Sequence, residues 1–74
     1  MKLFVNVIEI NEDGLVFSLR SFPENSAGYT QAEQLFLDIC RETTELSPDQ
    51  LATCLEQGCA EVPGGGTVQL FHNQ

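Results

Sequence analysis

Three cysteines and one histidine are the side chains in this chain best suited to bind a metal or to attack a substrate. Together Cys40, Cys54, Cys59 and His72 contain the donors of a Cys₃His zinc site. No two cysteines have the Cys-x₂-Cys spacing of a zinc knuckle. Cys40 and Cys54 instead fall in apolar stripes with helical spacing, where a free cysteine behaves as a small hydrophobe. The pattern therefore favours buried thiols over a metal site, and it predicts a surface position for His72.

A run of three glycines, Gly64 to Gly66, is the second feature that could do chemistry. A phosphate-binding loop needs a following Lys-Ser/Thr pair and a helix N-terminus that supplies aligned amides. Here Thr67 follows directly, no lysine is near, and a strand-like segment comes next. The run predicts a turn.

The carboxylates of Glu42 and Glu45 lie on a helix surface, and no EF-hand spacing occurs. We therefore expect no catalytic site, no cofactor and no metal in this chain.

The overall charge excludes further classes. The 74 residues include 11 acids and 3 bases, which gives a net charge of −8. Too few cations are present to replace the counterions of nucleic acid or to hold the chain on an anionic membrane surface. No apolar run approaches the length of a membrane span, and no secretory signal pattern or disulfide framework is evident. We expect a single small acidic domain, residues 1–74, in the cytoplasm.

The first third of the chain has the pattern of a β-hairpin. Two segments rich in β-branched and aromatic residues, 2–10 and 15–22, flank an Asn-Glu-Asp-Gly sequence. Asp13-Gly14 is a strong hairpin signal because both positions tolerate a positive φ. The turn could contain two residues or four, and both registers pair even positions of the first strand with odd positions of the second.

Two helices are predicted after this hairpin. We expect a loop over residues 23–29 and a helix that begins at Thr30, with Glu33 completing a capping box. The second helix has the clearest start in the chain. Ser47 is the cap, Pro48 takes the first helical position, and Gln50 completes the box. Gly58 would end this helix in the left-handed conformation.

A third strand over residues 67–73 completes the predicted fold. The order is ββααβ, an α+β two-layer sandwich with a helical hairpin on one face of a three-stranded sheet. The first strand is the most apolar on both sides, so it is placed centrally and the sheet order is 2-1-3.

Both faces of the predicted hairpin are apolar, and this suggests an interface. One face collects the side chains of Phe4, Ile8, Ile10, Leu15, Phe17 and Leu19. Because one helical layer covers one face, the opposite face would be bare, and a bare apolar patch on a protein usually marks an interface. The residues predicted to form this protein interface are Leu3, Val5, Val7, Val16, Phe22 and Phe71. The alternatives are a sheet with one helix on each face, or a twist that breaks up the patch.

Two functions are compatible with these features. The first is a non-catalytic interaction, accessory or regulatory module that docks a sheet face or an edge strand on a protein partner or on a second copy. The second is an acidic mimic of nucleic acid that blocks a basic groove on a DNA- or RNA-binding protein. The acids available for such a mimic are Glu33, Asp38, Glu42, Glu45, Asp49 and Glu56.

Overall fold

A computed structural model describes the backbone of residues 4–73 and the side chains of residues 5–71. Its elements, in chain order, are β1 (Phe4–Ile10), β2 (Val16–Pro23), α1 (Ser26–Thr43), α2 (Pro48–Gln57), β3 (Cys59–Val62) and β4 (Gly66–Asn73). All pairings between strands are antiparallel, and the sheet order is β2-β1-β4-β3. The fold class, α+β, is confirmed.

The predicted topology is corrected in one respect, because the order is ββααββ and the sheet has four strands. The central position of β1 is confirmed, since β1 pairs with β2 on one side and with β4 on the other. The additional strand, β3, has four residues and begins directly after the glycine that ends α2. A strand of four residues is too short to show a clear alternation of apolar and polar residues, so β3 is recognised only by its pairing with β4.

The hairpin turn between β1 and β2 is organised by Asn11. The side-chain Oδ1 of Asn11 accepts hydrogen bonds from the backbone amides of Asp13 and Leu15, at 2.9 and 3.0 Å. Gly14 takes the predicted positive φ, at +82°, whereas Asp13 does not have a positive φ. The predicted pairing of even with odd positions is confirmed over most of the hairpin, for example between Asn6 and Ser21.

A β-bulge interrupts this register near the turn. Glu9 pairs with Ser18, whereas Ile10 pairs with Val16, so Phe17 is an extra residue in β2. The bulge changes the predicted sides of two residues: Val16 shares the side of its partner Ile10, and Phe17 turns toward the helical side.

Helix α1 starts four residues earlier than predicted, at Ser26. Its cap is Asn25, whose Oδ1 accepts a hydrogen bond from the amide of Gly28 at 2.8 Å. Thr30, the predicted start, lies inside the helix, where its hydroxyl donates to the carbonyl of Ser26. The first turn contains a buried glycine that packs against Pro23, and a glycine there is a weak helix signal in the sequence.

Helix α2 begins and ends as predicted. The hydroxyl of Ser47 accepts from the amide of Gln50, and the side chain of Gln50 accepts from the amide of Ser47, which forms the capping box. Pro48 occupies the first helical position, and Gly58 ends the helix with a φ of +74°.

Both helices pack on the same face of the sheet. One core cluster combines buried side chains of every element except β2, from which the half-buried Phe22 packs against it; its buried members are Val5, Val7, Ala32, Phe36, Cys40, Leu51, Ala60 and Val68. The prediction that Val5 and Val7 lie on the bare face is therefore wrong: they are 0% and 1% exposed. Both faces of β1 are apolar, and apolarity does not indicate which one the helices cover. Phe36 of α1 belongs to the same cluster and is fully buried.

Among the described residues, no helix has the length and apolar character needed to cross a membrane.

Candidate functional site

Four neighbouring side chains on and beside β2 are apolar and largely exposed, and we call them the β2 strip. They are Leu15 at 64%, Val16 at 55%, Phe17 at 63% and Leu19 at 59% exposure. A single exposed leucine is normal on a protein surface, but a continuous group of large apolar side chains is not. The β2 strip is therefore the strongest candidate for a functional surface among the described residues.

The β2 strip lies on both sides of its strand. Val16 and Leu19 share the sides of their partners Ile10 and Ile8, which face away from the helices. Phe17 lies on the other side as a result of the bulge. There it lines an open, mostly apolar cavity of about 290 Å³, together with Glu9 and Thr43 near the end of α1. The apolar surface thus continues around the edge of the sheet.

The position of β2 explains why these side chains are exposed. β2 and β3 are the two outer strands of the sheet. β3 has only four residues, includes the exposed Glu61, and is followed by Pro63. Short length, charge and proline are devices that prevent an edge from pairing with another strand. β2 is longer, with eight residues, and its only proline, Pro23, is the last of them; it carries one charge, Arg20, and the bulge at Phe17.

The face of the sheet opposite the helices, which we call the open face, contains one more exposed aromatic residue. Phe71 of β4 is 40% exposed and stands opposite Asn6 of the central strand. Asn6 is only 4% exposed. Its Oδ1 accepts a hydrogen bond from the hydroxyl of Ser21 at 2.5 Å, while its Nδ2 has no hydrogen-bond partner among the described residues. The open face is thus a mixed surface, with a buried polar group beneath its apolar residues.

Negative charge is sparse on the open face, whereas Glu9 and Glu12 line the cavity beside Phe17 on the helical side of the sheet. By strand register, Glu61 at the β3 edge is the only described carboxylate on the open face. β2 itself contains no acid and one base, Arg20. In a chain with a net charge of −8, this surface is consequently the part that another acidic surface can approach.

The six residues predicted to form an interface are separated by the structure. Val16 and Phe71 are exposed and lie on the open face, whereas Val5 and Val7 are buried beneath the helices. Phe22 is half-buried and packs against the core, and Leu3 lies outside the described residues. The interface itself stays a prediction.

Sequence reasoning missed the exposure of Leu15, Phe17 and Leu19. The polar residues of the hairpin gave no signal for it. Asn6 and Ser21 occur on the face that holds Leu19, but Glu9, Ser18 and Arg20 occur on the face of Val5 and Val7. The exposure of Phe17 depends on the bulge, which the sequence did not predict.

The cysteines are not gathered into a metal site. Cys40 is buried, Cys54 and Cys59 are half-buried, and all three are free thiols. Burial raises the pKa of the Cys40 thiol from 9.0 to about 11, with smaller contributions from the two other cysteines. Among the described residues, no group of three or more potential ligands could hold a metal ion. The side chain of His72 lies outside the described residues.

The acids proposed for a nucleic-acid mimic lie on and between the helices. Glu33 is half-buried, while the other five acids are exposed. Asp38 accepts a hydrogen bond from Gln34 at 2.8 Å and forms an ion pair with Arg41 at 3.2 Å. These are ordinary contacts of a solvated helix surface, and the mimic stays a prediction.

In comparisons with known proteins, no protein-family model, no curated protein and no solved structure matches this chain.

Proposed function

We propose that this chain is a small, non-catalytic interaction module that acts as a homodimer formed through the β2 strip. The observation that carries the proposal is the concentration of exposed apolar side chains on an edge strand that contains no carboxylate, in an otherwise acidic molecule. An enzyme needs a nucleophile, a base and an orienting group placed together. The geometry described above supports docking better than chemistry.

The size of the β2 strip suits a dimer of moderate affinity. Full burial of one large apolar side chain is worth about 1.5–3 kcal/mol. The four side chains of the β2 strip are each about 60% exposed, so covering them contributes roughly 4–7 kcal/mol per molecule. Two molecules together gain about 7–14 kcal/mol, against an association cost of about 4–15 kcal/mol. We therefore expect the dimer to dissociate within a measurable concentration range.

The charge distribution favours a second copy as the occupant. Two molecules that each carry −8 repel one another if their helical surfaces approach. Docking through β2 instead brings together two strands that contain no carboxylate. Added salt should strengthen this dimer, because salt screens the remaining repulsion. Salt would weaken the binding of an acidic mimic to a basic groove.

Analytical ultracentrifugation over roughly 1 μM to 1 mM, the range that corresponds to about 8 to 4 kcal/mol of binding free energy, tests the proposal. We expect the average mass to rise from 8.2 kDa toward twice that value. Leu19→Lys should shift the chain to the monomer. Gln31→Lys, an exposed control on α1, changes the net charge from −8 to −7 in the same way and should leave the dimer intact.

A chain that stays monomeric over the whole concentration range, at low and high salt, would overturn the homodimer. Equal effects of Leu19→Lys and Gln31→Lys would show that charge, rather than the β2 strip, governs association. Both substitutions reduce the net negative charge by one unit, so a difference between their effects cannot come from the change in net charge.

A further inference from the structure

The backbone edge of β2 suggests how the two copies meet. A strand at the edge of a sheet presents a row of N–H and C=O groups that can pair with another strand. We propose that β2 of one molecule pairs antiparallel with β2 of a second copy, which joins two four-stranded sheets into one of eight strands. This inference rests on the proposed homodimer and specifies its geometry.

The two-sided character of the β2 strip supports strand pairing. Docking of two open faces would cover Leu19 and Phe71 but would leave Phe17, on the helical side, in contact with water. An added strand has side chains on both sides of the sheet and covers the neighbours on each. Strand pairing is therefore the arrangement that covers residues on both sides of the same edge.

The asymmetry between the two sheet edges indicates that growth stops at the dimer. Antiparallel pairing of β2 with itself uses the same surface on both molecules, so the contact is closed by a two-fold axis. The outer edges of the joined sheet are then the two β3 strands, each short, with Glu61 exposed and Pro63 following. These are the features that prevent further pairing.

The side chains of β2 are compatible with self-pairing. Leu19 lies near the middle of Val16–Pro23, so pairing centred on Leu19 places the leucines of the two copies side by side. In this register Arg20 stands opposite Ser18 of the second copy, on the helical side. The two arginines are then diagonal neighbours rather than a direct pair of like charges.

Three lysine variants separate strand pairing from face docking. Strand pairing predicts that Phe17→Lys and Leu19→Lys each weaken the dimer at least tenfold, whereas Phe71→Lys, two strands away from the β2 edge, changes the dissociation constant less than threefold. Face docking predicts the opposite pattern, in which Leu19→Lys and Phe71→Lys weaken the dimer and Phe17→Lys does not. Gln31→Lys serves again as the control for charge, and circular dichroism checks that each variant is folded.

Amide hydrogen exchange provides a readout that does not depend on substitution. Pairing should protect alternate amides of Val16–Pro23 at high protein concentration, and this protection should be lost on dilution. A wild-type dimer without concentration-dependent protection in β2, or one that dissociates with Phe71→Lys but not with Phe17→Lys, would overturn strand pairing and leave the homodimer standing. A wild-type monomer would overturn both.

Discussion

The glycine at position 28 provides a direct test of where α1 begins and what it packs on. Replacing an interior helical glycine with alanine normally stabilises a helix by about 0.5–1 kcal/mol, because alanine loses less backbone entropy on folding. In this structure a Cβ at Gly28 would lie 1.7 Å from the carbonyl oxygen of Pro23. The first turn of α1 is packed directly on the end of β2, and no side chain fits between them.

The magnitude of the effect follows from this distance. Cβ atoms are essentially never found closer than 3.0 Å to a heavy atom, so the helix and Pro23 must separate by more than an ångström. Overpacking of this kind costs about 1–3 kcal/mol, which exceeds the gain in helix propensity. We therefore expect Gly28→Ala to lower the free energy of unfolding by about 1–2 kcal/mol. That is a large fraction of the roughly 4–11 kcal/mol expected for a chain of this length.

Urea denaturation followed by circular dichroism, at one fixed protein concentration, measures this loss. Ala27→Gly is the matched control, because it changes an exposed residue of the same helical turn and should cost only about 0.5–1 kcal/mol. If α1 began at Thr30, as the sequence indicates, Gly28 would lie in a loop and its replacement by alanine would be nearly neutral. A Gly28→Ala variant as stable as the wild type, or more stable, would refute the contact with Pro23.

Two further predictions concern buried polar groups. Asn6→Val should raise the free energy of unfolding by about 1 kcal/mol, because it removes an Nδ2 that has no partner among the described residues, while the exposed Ser21 can bond to water instead. A urea midpoint below that of the wild type would contradict this. The second prediction concerns pH: folding raises the pKa of Cys40 from 9.0 to about 11, so its contribution to stability is fully present below pH 9 and is lost as the pH rises toward 11. Melting temperatures between pH 9 and 11 should fall more steeply for the wild type than for Cys40→Ala, and parallel curves would contradict the assignment.

The helix termini show where local sequence determines structure. At α2 the capping residues, the proline and the terminal glycine are all next to the positions they control, so the sequence predicts both ends correctly. At α1 the Thr30 and Glu33 pair resembles a capping box, yet Asn25 begins the helix one turn earlier. Gly28 in that extra turn packs against the backbone of Pro23, the last residue of β2. Asn25 and Thr30 are both preferred cap residues, so the local pattern does not decide between them.

In the sheet, too, the sequence predicts only the features that depend on neighbouring residues in the chain. The hairpin pattern predicts the parity of pairing and the central position of β1, because both depend on local alternation and turn chemistry. It does not predict which apolar face the helices cover, because the segment after β2 could cross to either side. It also does not predict β3 or the bulge at Phe17, since both depend on the pairing with the neighbouring strand. An exposed apolar surface was therefore predicted, but two of the residues assigned to it, Val5 and Val7, are buried.

The buried amide of Asn6 helps to specify the pairing register of β1, a strand that is apolar on both faces. A strand that is apolar on both faces specifies its register weakly, because a shift of one residue exchanges one apolar face for the other. In β1 such a shift would move Asn6 from the open face to a position under α1, away from the hydroxyl of Ser21. Burial of an unpaired amide there would cost about 1–3 kcal/mol more, a penalty that opposes the shifted pairing. Asn6 therefore lowers the stability of the native state, but it increases the free-energy difference between that state and the pairing shifted by one residue. On this argument Asn6→Val should make the chain more stable and less specific, because the only polar side chain in β1 besides Glu9 would be lost.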